Sequence, residues 1–304
     1  MEVSKFKINY SKLNPRHWKR PSFKKIVRFF VILVIFLGAF IIIKEEVMYQ
    51  FSWGVYSDSD YYADEDYSGS SGECNTLGIE LHGNIVTYIT PDSFNQEGNL
   101  IYDESASQDI VAALENAVIN EEIKAIILEI DSYGGSPVAA EEIEQAIKRV
   151  NKPIVVLVRD GATSAAYWVA SGADIIFASA MSDVGSIGVT FSYLDNYQKN
   201  TKEGLTYNSL STGKFKDYGD PDKPLTNEER KLIMRDLNII YDKFIETVAT
   251  NRNLDINKVK LLADGSSMPG QMALENGLID RIGGMTEVKE YLKEKIGEEV
   301  DVCW

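Results

Sequence analysis

The chain has 304 residues, a formal charge of −15 and a pI near 4.7, an acidic balance that argues against nucleic acid as a partner. Two histidines, His17 and His82, leave no multi-histidine metal site, and neither a metal nor a cofactor is expected. The length suits a membrane anchor followed by a catalytic domain of roughly 230 residues.

The charge is unevenly spread. Residues 1–28 hold nine Lys/Arg and one acid, Glu2, while the remainder holds 22 basic and 45 acidic residues. Residues 1–25 are basic and polar and read as a cytoplasmic segment. Ile26 to Ile43 is apolar apart from Arg28. A bilayer span needs about 20 residues, with about 17 the lower end, and Arg28 can snorkel to the headgroups. Residues 26–46 are therefore predicted to be a transmembrane signal anchor. Basic residues before the span and acids after it place the N-terminus in the cytoplasm and the remainder outside the cell membrane. Residues 47–76, rich in Ser, Gly, Asp and Tyr, read as an acidic tether.

A globular domain is predicted over residues 77–304. Residues 79–86 are read as a first strand pair. Residues 105–119 form an amphipathic helix with apolar Ile110, Val111, Leu114 and Val118. A buried strand at 125–130 leads into a turn, Asp131-Ser132-Tyr133-Gly134-Gly135-Ser136. A helix over 138–150, a strand at 154–158, a second turn and helix, and a strand at 174–178 follow. Strands alternating with helices predict an α/β domain with a largely parallel sheet and right-handed crossovers. Residues 190–224 are polar and irregular. Thr226-Asn227-Glu228-Glu229 is a capping box opening a long helix, and short helices are expected at 259–262 and 272–278.

Chemistry concentrates at two turns. Ser164 lies where the strand 154–158 gives way to the helix beginning Ala165-Ala166-Tyr167-Trp168. A hydroxyl there sits beside free helical N–H groups, which suits a nucleophile whose reaction develops an oxyanion. The plainer alternative is an N-cap serine. At the other turn, paired glycines let the backbone approach a ligand. If the two strand ends are neighbours, an N–H of Gly134 or Gly135 and that of Ala165 could flank one oxyanion. With so few histidines, the base for Ser164 is expected to be a lysine.

The motifs Ser132-Tyr133-Gly134-Gly135, Ala162-Thr163-Ser164-Ala165-Ala166-Tyr167, Gly185-Ser186-Ile187-Gly188-Val189, Gly213-Lys214-Phe215-Lys216-Asp217 and Gly270–Asp280 together resemble the signal peptide peptidase A family. The resemblance covers about residues 77–292. It implies a Clp protease–crotonase fold of repeated β-β-α units and a membrane-bound serine endopeptidase with a Ser–Lys dyad. Ser164 would be the nucleophile and Lys216 the general base. Ser186 would be the helper serine that hydrogen-bonds the lysine, and Gly135, or Gly134, the oxyanion glycine. A lysine at its reference pKa of about 10.4 is protonated at neutral pH, and burial is what lowers such a group to where it can accept a proton. Lys214, two residues earlier, is assigned to the surface. The resemblance also implies homo-oligomers with Ser and Lys contributed by neighbouring protomers. The implied substrates are extended hydrophobic peptides such as signal-peptide remnants, cut after small residues.

The chain departs from the family pattern at Tyr133, where Pro is usual, and at Ala165-Ala166, where glycines are usual. These positions bear on specificity. A non-proteolytic crotonase-like acyl-thioester enzyme and a catalytically inactive membrane scaffold remain as alternatives. Cys74 and Cys303 flank the domain. Outside the cell they could form one intramolecular disulfide, stay as two unrelated thiols, or pair between chains.

Overall fold

The structure is a computed structural model and describes residues 74–93, 95 and 101–304. The predicted cytoplasmic segment and membrane span lie outside the described residues, as does nearly all of the tether. Among the described residues no helix is long and apolar enough to cross a membrane.

Among the described residues nine strands form one sheet that is parallel in all but one pairing. Strand β1 is Thr76–Val86 and β2 Glu104–Ala106, followed by helix α1, Ser107–Ile119. Then come β3 (Ala125–Gly135), α2 (Pro137–Arg149), β4 (Ile154–Thr163) and α3 (Ala165–Ser171). Strand β5 (Ile175–Ala178), β6 (Asp183–Gly185) and α4 (Tyr197–Lys202) precede the long α5, Asn227–Asn251. The chain ends with α6 (Ile256–Leu262), β7 (Ser267–Pro269), α7 (Gly270–Asn276), β8 (Arg281–Ile282), α8 (Met285–Ile296) and β9 (Val302–Cys303).

The predicted strand pair at 79–86 is in fact part of a single bent strand. The register between β1 and β3 shifts between His82 and Asn84, where Gly83 takes φ +65°. A Cβ at Gly83 would lie 2.0 Å from the Asp103 carbonyl oxygen, so only glycine fits this bend. The register between β3 and β4 shifts likewise, between Ile130 and Ser132. The long strands are thereby divided into lower and upper halves. Lower β4, Val155–Val158, pairs with β5, whereas upper β4, Gly161–Thr163, pairs with β6. The glycine turn and the approach to Ser164 were both read as turns, yet they continue β3 and β4 as strand. This bent parallel α/β sheet fits the Clp protease–crotonase fold that the resemblance implies.

The central strands read as near-continuous apolar runs because both sheet faces are covered. Leu128 and Ile130 of β3 and Val156 and Val158 of β4 face the helices α1, α2, α3 and α5. Ile127, Val155, Leu157 and Phe177 face α8 through Val288 and Leu292. Helix α8 was not foreseen, because half of its residues are charged and it buries only those two residues. The capping box of α5 is present: Thr226 Oγ1 accepts from Glu229 N, and Glu229 accepts from Thr226 N.

Of the alternatives open for the cysteines, the structure has the intramolecular disulfide. Cys74 and Cys303 are bonded, with Cα atoms 5.9 Å apart. The bond fastens β9 beside the start of β1, and the Trp304 ring packs against Gly78.

Candidate active site

Ser164 follows β4 directly and occupies the N-cap position of α3, but its side chain makes no cap hydrogen bond. The plainer reading of this serine therefore does not hold: its hydroxyl is not spent on the helix. Its backbone takes φ +53°, ψ −125°, a conformation that costs a non-glycine residue about 1–3 kcal/mol. Two bonds hold it there. Ser164 N donates to the Gly185 carbonyl at 2.8 Å, and Trp168 N donates to the Ser164 carbonyl at 3.0 Å. A strained strand-to-helix corner of this kind lifts a hydroxyl clear of the sheet edge.

The glycine strand lies alongside, because β3 and β4 are neighbours and Ser132 pairs with Ala162. A Cβ on Gly134 would sit 3.0 Å from Ser164 Cβ, 3.3 Å from its Oγ and 3.2 Å from Ala165 N. Gly134 therefore lies against both the candidate nucleophile and the first helical N–H. Its own N–H donates to Ser132 Oγ at 3.1 Å, and buried Ser132 in turn donates to the Gly83 carbonyl at 2.6 Å. A Cβ on Gly135 would collide with the Ile85 carbonyl oxygen at 2.2 Å, so this glycine is required by the packing of β3 on β1.

Ser164, Ala165, Gly135 and Ser186 all line one cleft of about 500 Å³. Ser186, at φ +50°, donates its hydroxyl to the Gly265 carbonyl at 3.0 Å. With its proton so engaged, its oxygen keeps lone pairs free to accept from another donor. The far wall was not foreseen. Met234, Leu237, Tyr241 and Phe244 of α5 provide it. Trp168 stacks on Phe244 with ring centroids 4.8 Å apart, a contact worth about 0.5–1.5 kcal/mol beyond its buried area. Tyr241 is held by donating to the Ala263 carbonyl at 2.6 Å. Only the apolar period of α5 in the sequence could have hinted at this wall. That period outlasts the core: Phe244, Ile245 and Val248 are buried, while Leu237 and Ile240 are only partly so and line the cleft.

Lys216 is not among the residues lining this cleft. It sits exposed on a turn closed by Lys216 N donating to the Gly213 carbonyl at 3.1 Å, and its ammonium has no partner among the described residues. Lys214 is also exposed, as expected, and pairs with Glu228 at 2.7 Å. His82 lies away from the cleft, with Nε2 at 3.7 Å from Glu129. Tyr133, at the position where the family usually has Pro, is exposed and donates to Asp160 at 2.6 Å; that bond raises its phenol pKa above the usual value. Tyr167 is buried beneath α3 and donates to the Leu278 carbonyl at 2.8 Å, and burial likewise raises its pKa. Among the described residues no group of His, Cys, Asp or Glu could hold a metal.

An unspent serine on a strained strand-to-helix corner, at the carboxyl end of a central parallel strand and facing a cleft with one apolar wall, is the layout of a serine hydrolase. The chain belongs to peptidase family S49, whose model matches residues 146–299, a stretch that includes Ser164, Ser186 and Lys216. It is 34% identical over 228 residues to a protein of Enterococcus faecium named "Putative signal peptide peptidase SppA", covering 74% of this chain and 65% of that one. It is 29% identical over 252 residues to Protease 4 of Haemophilus influenzae, covering 77% of this chain and 41% of the relative. A chloroplastic serine protease SPPA of Arabidopsis thaliana is 28% identical over 192 residues, covering 62% and 28%. The chain thus spans less than two thirds of the length of these relatives.

Proposed function

We propose that the chain is a membrane-anchored serine endopeptidase that uses a Ser–Lys dyad to cut extended hydrophobic peptides, signal-peptide remnants among them. The observation that carries this reading is the uncapped hydroxyl of Ser164, held at φ +53° over a cleft walled on one side by Met234, Leu237 and Phe244. Ser164 Oγ attacks the scissile carbonyl and Lys216 accepts its proton. Ser186, its own proton engaged by Gly265, accepts a hydrogen bond from the lysine and directs it without adding a charge. The oxyanion is held by the N–H groups of Ala165 and Gly135. Gly135 is preferred over Gly134 because the Gly134 N–H already donates to Ser132.

Within one chain Lys216 is exposed and outside the cleft, which favours a site completed by the lysine of a neighbouring protomer in a homo-oligomer. The apolar residues that α5 leaves uncovered suit the same assembly. The run 26–46 would anchor the chain in the cell membrane by a single pass, with the N-terminus cytoplasmic and the peptidase domain outside.

The full chain in detergent, given an internally quenched hydrophobic peptide, tests the reading. Hydrolysis and fluorophosphonate labelling should both be present, and Ser164→Ala should abolish both. Turnover by Ser164→Ala at the wild-type rate would refute it.

A further inference from the structure

The turn that carries Lys216 belongs to the mostly exposed stretch 204–226, yet a partly buried ion network adjoins it. Lys223 is 19% exposed at its side chain, Asp217 18% and Glu229 5%. Lys223 Nζ lies 3.5 Å from Asp217 Oδ1 and bonds Glu229 Oε1 directly. The other oxygen of Glu229 accepts from Thr226 N and Oγ1, each at 2.9 Å. The Tyr207 hydroxyl lies 3.2 Å from both Asp217 Oδ2 and Asp220 Oδ2, which share its one proton. Every carboxylate oxygen of the pair thus has a partner.

The two carboxylates belong to different parts of the chain. Asp217 is the residue after Lys216. Glu229 is in the first turn of α5, the helix that walls the cleft beside Ser164. Among the described residues the Lys223 ammonium joins them. Removing ions from water costs more than a surface pair returns, so such a bridge is a poor way to gain stability and a good way to fix one geometry. The neighbouring lysines show the contrast: Lys214 is 65% exposed in its pair with Glu228, and Lys216 has no partner among the described residues.

We propose that Lys223 is a positioning residue for the Ser–Lys reaction: by bridging Asp217 and Glu229 it fixes the turn that presents Lys216 to the first turn of α5. This rests on Lys216 being the base. Glu229 is held below the ordinary carboxylate range, chiefly by its bond from Lys223, which fits a permanently charged bridge. The bridge never touches substrate. Its effect is on where the base stands, and a misplacement of about 1 Å can cost about 10²-fold in rate.

The test is steady-state peptide hydrolysis by the full chain in detergent, with melting temperature and oligomer size measured beside it. Lys223→Met should lower kcat about 10- to 100-fold, with KM within about twofold and oligomer size unchanged. Lys223→Arg, which can still bridge two carboxylates, should recover to within about threefold. If Lys223→Met fails to fold, Asp217→Asn decides, because it keeps the size and the Tyr207 bond while removing the charge that Lys223 holds. Wild-type kcat in these variants, or a rise in KM with kcat intact, overturns the proposal. Lys216→Met separates the two readings. If it stays active, the base assignment and the bridge's role both fall. If it is dead while Lys223→Met and Asp217→Asn turn over normally, only the positioning role falls.

Discussion

Gly134→Ala should separate damage to the site from damage to the fold. The added methyl would stand 3.0 Å from Ser164 Cβ, 3.3 Å from its Oγ and 3.2 Å from Ala165 N, closer than ordinary van der Waals contact. Ser164 cannot easily yield, since its N–H and carbonyl are both committed, to Gly185 and Trp168. The methyl should therefore push Oγ aside and shade the Ala165 N–H. A displaced nucleophile costs about 10²-fold and a lost oxyanion donor about 10²–10³-fold, so kcat should fall by at least ~10². Gly134 also sits at φ +115°, which adds roughly 1–3 kcal/mol of strain for alanine. Gly297→Ala is the control. Gly297, at φ +78°, caps α8, and a Cβ there would meet nothing within 4 Å. It should cost about 1–2 kcal/mol, a fall in melting temperature of roughly 2–8 °C, with kcat unchanged. Peptide hydrolysis and thermal unfolding of both variants make the comparison. If Gly134→Ala keeps kcat within about threefold of wild type while Ser164→Ala is dead, the placement of the oxyanion hole beside Gly134 is wrong.

Three further outcomes follow from the same geometry. Lys216→Met should remove at least ~10³ of the rate, because base and nucleophile act as a unit, whereas Lys214→Ala, losing only an exposed pair with Glu228, should retain most of it; the reverse result would move the base by two residues. Co-assembling Ser164→Ala with Lys216→Ala subunits should restore part of the activity, and mixed oligomers inactive at every ratio would exclude a shared site. Thiol titration of the denatured, unreduced chain should find no free cysteine, and Cys74→Ser/Cys303→Ser should lower stability by about 2–4 kcal/mol; two titratable thiols would refute the bond.

The parts of the fold that are legible in the sequence are those set by neighbours along the chain. The capping box at Thr226 and the alternation of strands with helices depend on residues within a few positions of one another, whereas the corner at Ser164, signalled locally, is also held by the Gly185 carbonyl 21 residues on. The bend at Gly83 was not legible, because its cause is the Asp103 carbonyl arriving from 20 residues away, and the strand was read as two. Helix α8 escaped because it buries only Val288 and Leu292 amid charges. The cleft wall and the Ser186–Gly265 bond depend on contacts some 70 to 80 residues apart in sequence.

Lys216 is the instructive case. Its motif marks it strongly in the sequence, yet among the described residues it is exposed and without a partner, while the similarly exposed Lys214 is paired. A lysine in water is a poor base at neutral pH, so one that serves as a base must be covered by something. Among the described residues nothing covers two surfaces. One is the turn holding Lys216, braced by Lys223. The other is the first half of α5, where Met234 and Ile239 remain 46% and 63% exposed. A second protomer docked against these surfaces would exclude water from the lysine and bury apolar side chains in the same step. Assembly would then both form the enzyme and activate its base, and a chain held monomeric should be folded but inactive.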